Sequence, residues 1–173
     1  CLFCAWNKGF APIQGEQRDR LAVEDVLASL AYAQSLNCPT RLELMDNSLA
    51  LNRTSLQHYL AMAQHLPAGF GVNPGICVRP HWLEQLGQTG AAYYVNNLET
   101  SPRMFPKFVT THDQAAKLQS LRLARQVGLA IHTGFILGLG ETKEDCEEIY
   151  RLIDQVEPDG VNLNFFYPAA GLM

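Results

Sequence analysis

Strand-like and helix-like apolar patterns take turns along this chain, one pair roughly every 30 residues, the length of a single βα unit. Arg41-Leu42-Glu43-Leu44-Met45 alternates as a strand does. A helical stretch follows from Thr54 to His65, with Leu56, Leu60 and Ala63 at helical spacing and Thr54 and Gln57 as a capping box. Gly69-Phe70-Gly71-Val72 precedes a short helix near His81 to Leu86, and Ala91-Ala92-Tyr93-Tyr94-Val95 reads as the next strand. Thr111-His112-Asp113-Gln114 is a second capping box, opening a helix that carries Leu118, Leu121 and Val127 on one face and stops at Gly128. Leu129 to Leu137 is the most apolar strand. Thr142 with Asp145 caps a helix to about Val156, and Gly160 to Phe166 forms the last strand.

Continuous apolar runs are the signature of parallel strands covered on both faces. The alternation therefore predicts an α/β fold with a parallel sheet. It leaves an open doubly wound sheet and a (β/α) barrel both standing. A complete eight-fold barrel takes about 250 residues, and 173 are too few for one.

Composition narrows the function classes. With 47% apolar residues the chain can fill a core, and its formal charge of −4 lacks the basic surplus of nucleic-acid binders. No apolar run approaches the roughly 18 residues of a membrane span. Five cysteines, two of them at Cys1 and Cys4, do not suggest a secreted disulfide scaffold. The expectation is a cytoplasmic protein with no nucleic-acid or membrane partner. A start at Cys1 and an end at Gly171-Leu172-Met173, straight after an apolar run, read as a piece cut from a longer chain.

Four places could carry chemistry. Cys1-Leu2-Phe3-Cys4 can turn two thiolates toward one metal or iron–sulfur cluster, although a lone pair is weak evidence and a cluster needs a third thiolate from elsewhere. Gly134-Phe135-Ile136-Leu137-Gly138-Leu139-Gly140-Glu141 ends the most apolar strand, where parallel folds bind ligands; the plainer reading is a turn that needs glycine. Its spacing is not the dinucleotide fingerprint. Asn96-Asn97-Leu98-Glu99-Thr100-Ser101 follows another strand, and its amides and carboxylate can accept from sugar hydroxyls; Thr100 and Ser101 are more simply a polar cap. Asn164 is a lone amide in an apolar run, so it either satisfies the core or faces a pocket. His58, His65 and His112 read as surface or core residues rather than ligands.

Together these blocks resemble the radical S-adenosylmethionine (SAM) enzymes of the biotin-synthase-like group. Cys1-Leu2-Phe3-Cys4 matches the second and third cysteines of CxxxCxxC, with the first lying four residues before the chain. Gly134, Ile136, Gly138 and Glu141 match GxIxGxxE in full. Tyr94 to Ser101 resembles YNHNLDTS, and Val161-Asn162-Leu163-Asn164-Phe165 through Gly171-Leu172 resembles the later strand and loop ending in GTPL. The resemblance implies that residues 1–173 are an incomplete radical SAM core, a partial TIM-type barrel truncated at both ends, without its first strand and last βα units.

By that resemblance Cys1 and Cys4 ligate a [4Fe–4S] cluster whose free iron takes SAM. Trp6 lies where the family's chain passes the adenine, Asn97 and Glu99 hold the ribose hydroxyls, and Lys117 meets the SAM carboxylate. Ile136 packs on the adenine beside Gly138, and Asn164 and His132 are the substrate-facing residues. The implied reaction is reductive cleavage of SAM to methionine and a 5′-deoxyadenosyl radical that takes hydrogen from a small molecule, in transferase- or mutase-type chemistry. The implied electron donor is a flavodoxin or ferredoxin. No catalytic residue beyond the cluster is implied.

The departures are specific. A second, sulfur-donating cluster would need cysteines near Glu43, on Val72 and on His132, and none is present there. Val95 replaces an asparagine before the NLE block. Met45-Asp46-Asn47 stands where many members have Gly-Gly-Glu, leaving Asp46 or Asn47 for the SAM amine. The expected relatives are therefore those without a second cluster, such as methylornithine synthase or the hydrogenase maturases. The rivals are a biotin synthase proper, inserting sulfur into dethiobiotin, an inactive barrel serving as a binding module, and a zinc-binding α/β protein.

Overall fold

The computed structural model describes residues 22–37, 41–46 and 49–167. Its elements run α1 Val23–Ser35, β1 Glu43–Met45, α2 Arg53–Ala63, β2 Gly71–Asn73, α3 Pro80–Gln88, β3 Tyr93–Val95, α4 Phe105–Phe108, α5 Gln114–Gln126, β4 Ala130–Leu137, α6 Lys143–Val156 and β5 Gly160–Phe165. The strands form one sheet in the order β1-β2-β3-β4-β5, and each neighbouring pair is parallel. A doubly wound sheet reverses its strand order at a switch point. This one never does, so the five strands form an arc of a (β/α) barrel.

Side-chain parity divides the arc into two faces. Val72, Tyr94, Ile131 and Phe135 point outward and are essentially sealed among Leu83, Leu86, Leu121 and Ile149 of the helices. Each buried aliphatic or aromatic side chain of this set contributes about 1.5–3 kcal/mol. The inner face carries Glu43, Asn73, Val95, His132, Gly134, Asn162 and Asn164. At its lower end Tyr93 and His132 stack at 4.4 Å with 20° between their planes. A side chain on Gly71 would run into the Tyr93 ring, and one on Gly160 would meet the His132 ring at 3.0 Å. Two rings laid over two glycines thus fill the amino end of the arc and leave its carboxyl end open.

The helix starts correct the sequence reading in two places. Asn52, not Thr54, caps α2, accepting from the Ser55 N–H. Asp113, not Thr111, caps α5, accepting from the Ala116 N–H. Both true caps are short amide or carboxylate side chains with extended backbone, which serve an N-cap at least as well as threonine. The α6 capping box of Thr142 and Asp145 stands as expected. Helix α1 and the single turn α4 had no counterpart in the apolar pattern; only Val26 of α1 is buried. Among the described residues no helix is long and apolar enough to cross a membrane.

Candidate functional site

The segment after β3 alternates its side chains between the two faces. Asn96 turns outward and is buried, donating through Nδ2 to the Tyr94 hydroxyl at 3.1 Å. That hydroxyl lies 2.5 Å from Ser120 Oγ and donates to the Gly75 carbonyl at 2.6 Å. Burial pushes the Tyr94 phenol well above its usual range, so it stays a neutral donor. Asn97 turns inward. Its Oδ1 is buried with no hydrogen-bond partner among the described residues. The Cβ that Gly134 lacks would sit 2.5 Å from that oxygen and 2.9 Å from the Asn162 carbonyl. Only glycine lets Asn97 occupy this position.

Glu99 sits at φ 68°, an uncommon conformation for a non-glycine residue. The neighbouring strand holds it there. The Glu99 N–H donates to the Gly134 carbonyl at 3.0 Å, and its own carbonyl accepts from the Ile136 N–H at 2.7 Å. Helix α5 holds the same loop from behind. Gln114 donates through Nε2 to the carbonyls of Leu98 (2.9 Å) and Thr100 (2.7 Å). One turn later Lys117 Nζ reaches the Asn97 carbonyl at 2.7 Å and Glu99 Oε1 at 2.8 Å. Lys117 is 8% exposed and Glu99 13%, so the pair is largely desolvated. One N–H of the ammonium and the second carboxylate oxygen are left for a ligand.

The far end of this loop is tied to α6. Ser101 Oγ donates to Asp145 Oδ1 at 2.7 Å, and the Arg103 guanidinium forks onto both carboxylate oxygens. The Thr142 N–H donates to Oδ2 at 2.8 Å. Arg103 first, then these other donors, hold the Asp145 carboxyl well below the usual carboxylate range. Ser101 is thus the structural cap that its sequence suggested. Its partner Asp145 lies too far along the chain for local pattern to show it.

The glycine-rich turn after β4 serves backbone geometry. Gly138 has φ +95°, and a Cβ there would come no closer than 3.7 Å to Phe166. The positive φ requires glycine, not lack of space. Its N–H donates to Glu141 Oε1, while Glu141 Oε2 is buried with no partner among the described residues. Ile136 is half-buried and shares its register position with Asn164. Asn164 belongs to an exposed strand face, which removes the reading of a satisfied core amide. It lines a cleft of about 410 Å³ with Glu43, Asn73, Val95, Asn97 and Asn162. His132 does not line this cleft; its ring is committed to the Tyr93 stack below, and burial first, then Arg41, lowers its pKa. Val72 points outward, so the inner-face residue at that level of β2 is Asn73, one position on. Cys1, Cys4 and Trp6 lie outside the described residues.

His112, read as a bland histidine, is half-buried edge-on to Phe105 at 5.8 Å. Its Nε2 has no partner among the described residues. Burial first, then the nearby Lys117 charge, pushes its pKa down to about 4. Sequence reasoning also missed Gly134 as the residue that makes room for Asn97, Gln114 as the clamp on the loop, and Glu43 and Asn73 in the cleft. The parity of β1 and β2 was the available signal for the last two.

This arrangement is an enzyme-type β/α arc, its polar loops gathered at the carboxyl ends of parallel strands. No family model matches the chain. The biotin synthase of Akkermansia muciniphila is 31% identical over 99% of this chain and 54% of its own length. That of Rhodococcus jostii is 40% identical over 51% of the chain and 26% of its own length. Among solved structures, methylornithine synthase (PylB) superposes with a TM-score of 0.73 at 17% identity, covering 99% of this chain and 51% of its own. Streptococcus suis SuiB bound to S-adenosylmethionine gives 0.68 at 13% identity, over 99% of this chain and 39% of its own. The chain spans about half the length of the curated relatives that it matches along its whole extent. The chain belongs to the radical SAM superfamily, in its biotin-synthase-like group.

Proposed function

We propose that this chain is the SAM-binding core of a radical SAM enzyme acting on a small organic molecule other than dethiobiotin. The observation that carries the reading is the inward Asn97 with its orphaned Oδ1, next to a Glu99 held by Lys117 and the β4 backbone. A ribose presents two hydroxyl donors, and these are two acceptors at one strand end. Ile136 supplies an apolar wall beside them for an adenine, and Gly138 turns the chain away. Lys117 positions Glu99 and offers its remaining N–H to the SAM carboxylate. By the family resemblance, Cys1 and Cys4 would be two of the thiolates that hold a [4Fe–4S] cluster. Such a cluster would supply one-electron reductive cleavage of bound SAM, and the protein's share would be to bind, orient and exclude water.

Chemistry without sulfur insertion is favoured by the inner face. Cys77 is buried behind the sheet and Cys146 lies on α6, so neither described cysteine lines the cleft. The small-molecule substrate, an external flavodoxin- or ferredoxin-type electron donor and a cytoplasmic setting belong to the same proposal. Titrating SAM into the full-length protein, reconstituted with iron and sulfide, tests it. Glu99→Ala should weaken binding by about 1–3 kcal/mol through the lost acceptor. SAM affinity unchanged by both Glu99→Ala and Asn97→Ala would remove these residues from the site and the proposal with them.

A further inference from the structure

Glu43 opens β1 on the inner face of the arc. It shares a register row with Gly71 and, through Tyr93, with Ala130, at the amino end of β4. Ile136 and Asn164 lie on a row several residues further toward the carboxyl end. Glu43 therefore sits at the deep end of the cleft, and the loop around Glu99 at the other.

The Glu43 carboxylate accepts from Asn73 Nδ2 at 3.2 Å and makes no ion pair among the described residues. Arg41, exposed two residues earlier, acts on Tyr93 and His132 through space but does not pair with Glu43. The other polar groups lining the cleft are amides: Asn73, Asn97, Asn162 and Asn164. One half-buried anion facing amides, with no cation of its own, suits a ligand that brings the cation. Neutral amides beside it suit a second polar group on the same ligand.

We infer that the deep end of the cleft, through Glu43 held by Asn73, selects a substrate bearing a primary ammonium group, with its other polar end at Asn162 and Asn164. This rests on the SAM-binding reading above, which places SAM against Glu99 and leaves the deep end to the substrate. Two probes of equal length separate the charge from the rest. 5-Aminopentanamide carries an ammonium group where hexanamide carries a methyl, and both end in an amide.

Their binding to the full-length reconstituted protein is measured by ligand-observed NMR at pH 7, with SAM present and absent. The aminoamide should bind at least about tenfold more tightly than hexanamide, a difference that falls below about threefold in Glu43→Gln. SAM affinity should be the same in Glu43→Gln as in the unsubstituted chain. Equal affinity for the two probes, or binding of neither, overturns the inference even if the variant fails to fold. Loss of SAM affinity in a folded Glu43→Gln also overturns it, by giving Glu43 to the amino group of SAM. A chain that separates the probes but binds no SAM keeps the cation site and removes the SAM-binding reading instead.

Discussion

One carbon atom decides the position of Asn97. Gly134→Ala puts a methyl 2.5 Å from Asn97 Oδ1 and 2.9 Å from a β5 carbonyl, and the carbonyl cannot rotate away. Overpacking of this kind costs about 1–3 kcal/mol. A denaturant titration should show that loss together with weaker SAM binding, because the amide must move. Lys117→Met should lower stability and SAM affinity together, since it strands the Glu99 carboxylate at 13% exposure. Restoring stability with Glu99→Gln in the same chain, without restoring SAM affinity, would separate the two roles. His112 adds a pH signature. Its folded pKa, about 4, lies below the ordinary value near 6.5, so the unfolded chain binds the extra proton first. Its contribution is present above pH 6.5 and is lost as pH falls toward 4. Unfolding midpoints at pH 7 and pH 5 should therefore differ less in His112→Leu than in the unsubstituted chain.

At the scale of elements, the loop of residues 96–103 gains its shape from three neighbours: β4, α5 and the first turn of α6. Thr142→Ala should cost about 1 kcal/mol as a lost N-cap and lower Tm by about 2–4 °C. Asp145→Asn should do more, since it removes the charge paired with Arg103 and puts an amide N–H where one of two acceptor oxygens met Arg103, Ser101 and the Thr142 N–H. Hydrogen exchange should then quicken in both α6 and the loop, while exchange confined to α6 would show that the tie transmits nothing. The five strands and helices α2, α3, α5 and α6 were legible in the sequence because their apolar spacing is strong. The starts of α2 and α5 were displaced because several cap-competent residues precede each, and only the backbone chooses among Asn52, Thr54, Thr111 and Asp113. Helix α1 escaped notice because a helix that buries little more than Val26 leaves no clear apolar stripe. At the site, Asn97, Glu99 and Lys117 could be singled out, but the Lys117–Glu99 pair and the space at Gly134 depend on contacts between distant segments.

For the whole molecule, the unbroken strand order and the two-faced sheet explain why the chemistry faces one way. Helices cover the outer side of β2 to β4, while Val161, Leu163 and Phe165 of β5 are exposed; rings and glycines fill the amino end, and the polar residues of the inner face look into the cleft. The inner face alternates ring against glycine below and amide against glycine above, so position along the strands separates support from binding. Among the described residues that cleft is lined by amides and one carboxylate rather than thiols, and the account predicts a SAM enzyme without a second cluster. The most direct measurement is 5′-deoxyadenosine formation by the full-length protein, reconstituted anaerobically with iron and sulfide, reduced with dithionite and given SAM. Iron is counted on the same sample. The account predicts the nucleoside with about four irons per chain, the content of one [4Fe–4S] cluster, and its loss in Cys4→Ala. A folded, iron-loaded chain that forms no nucleoside would contradict it.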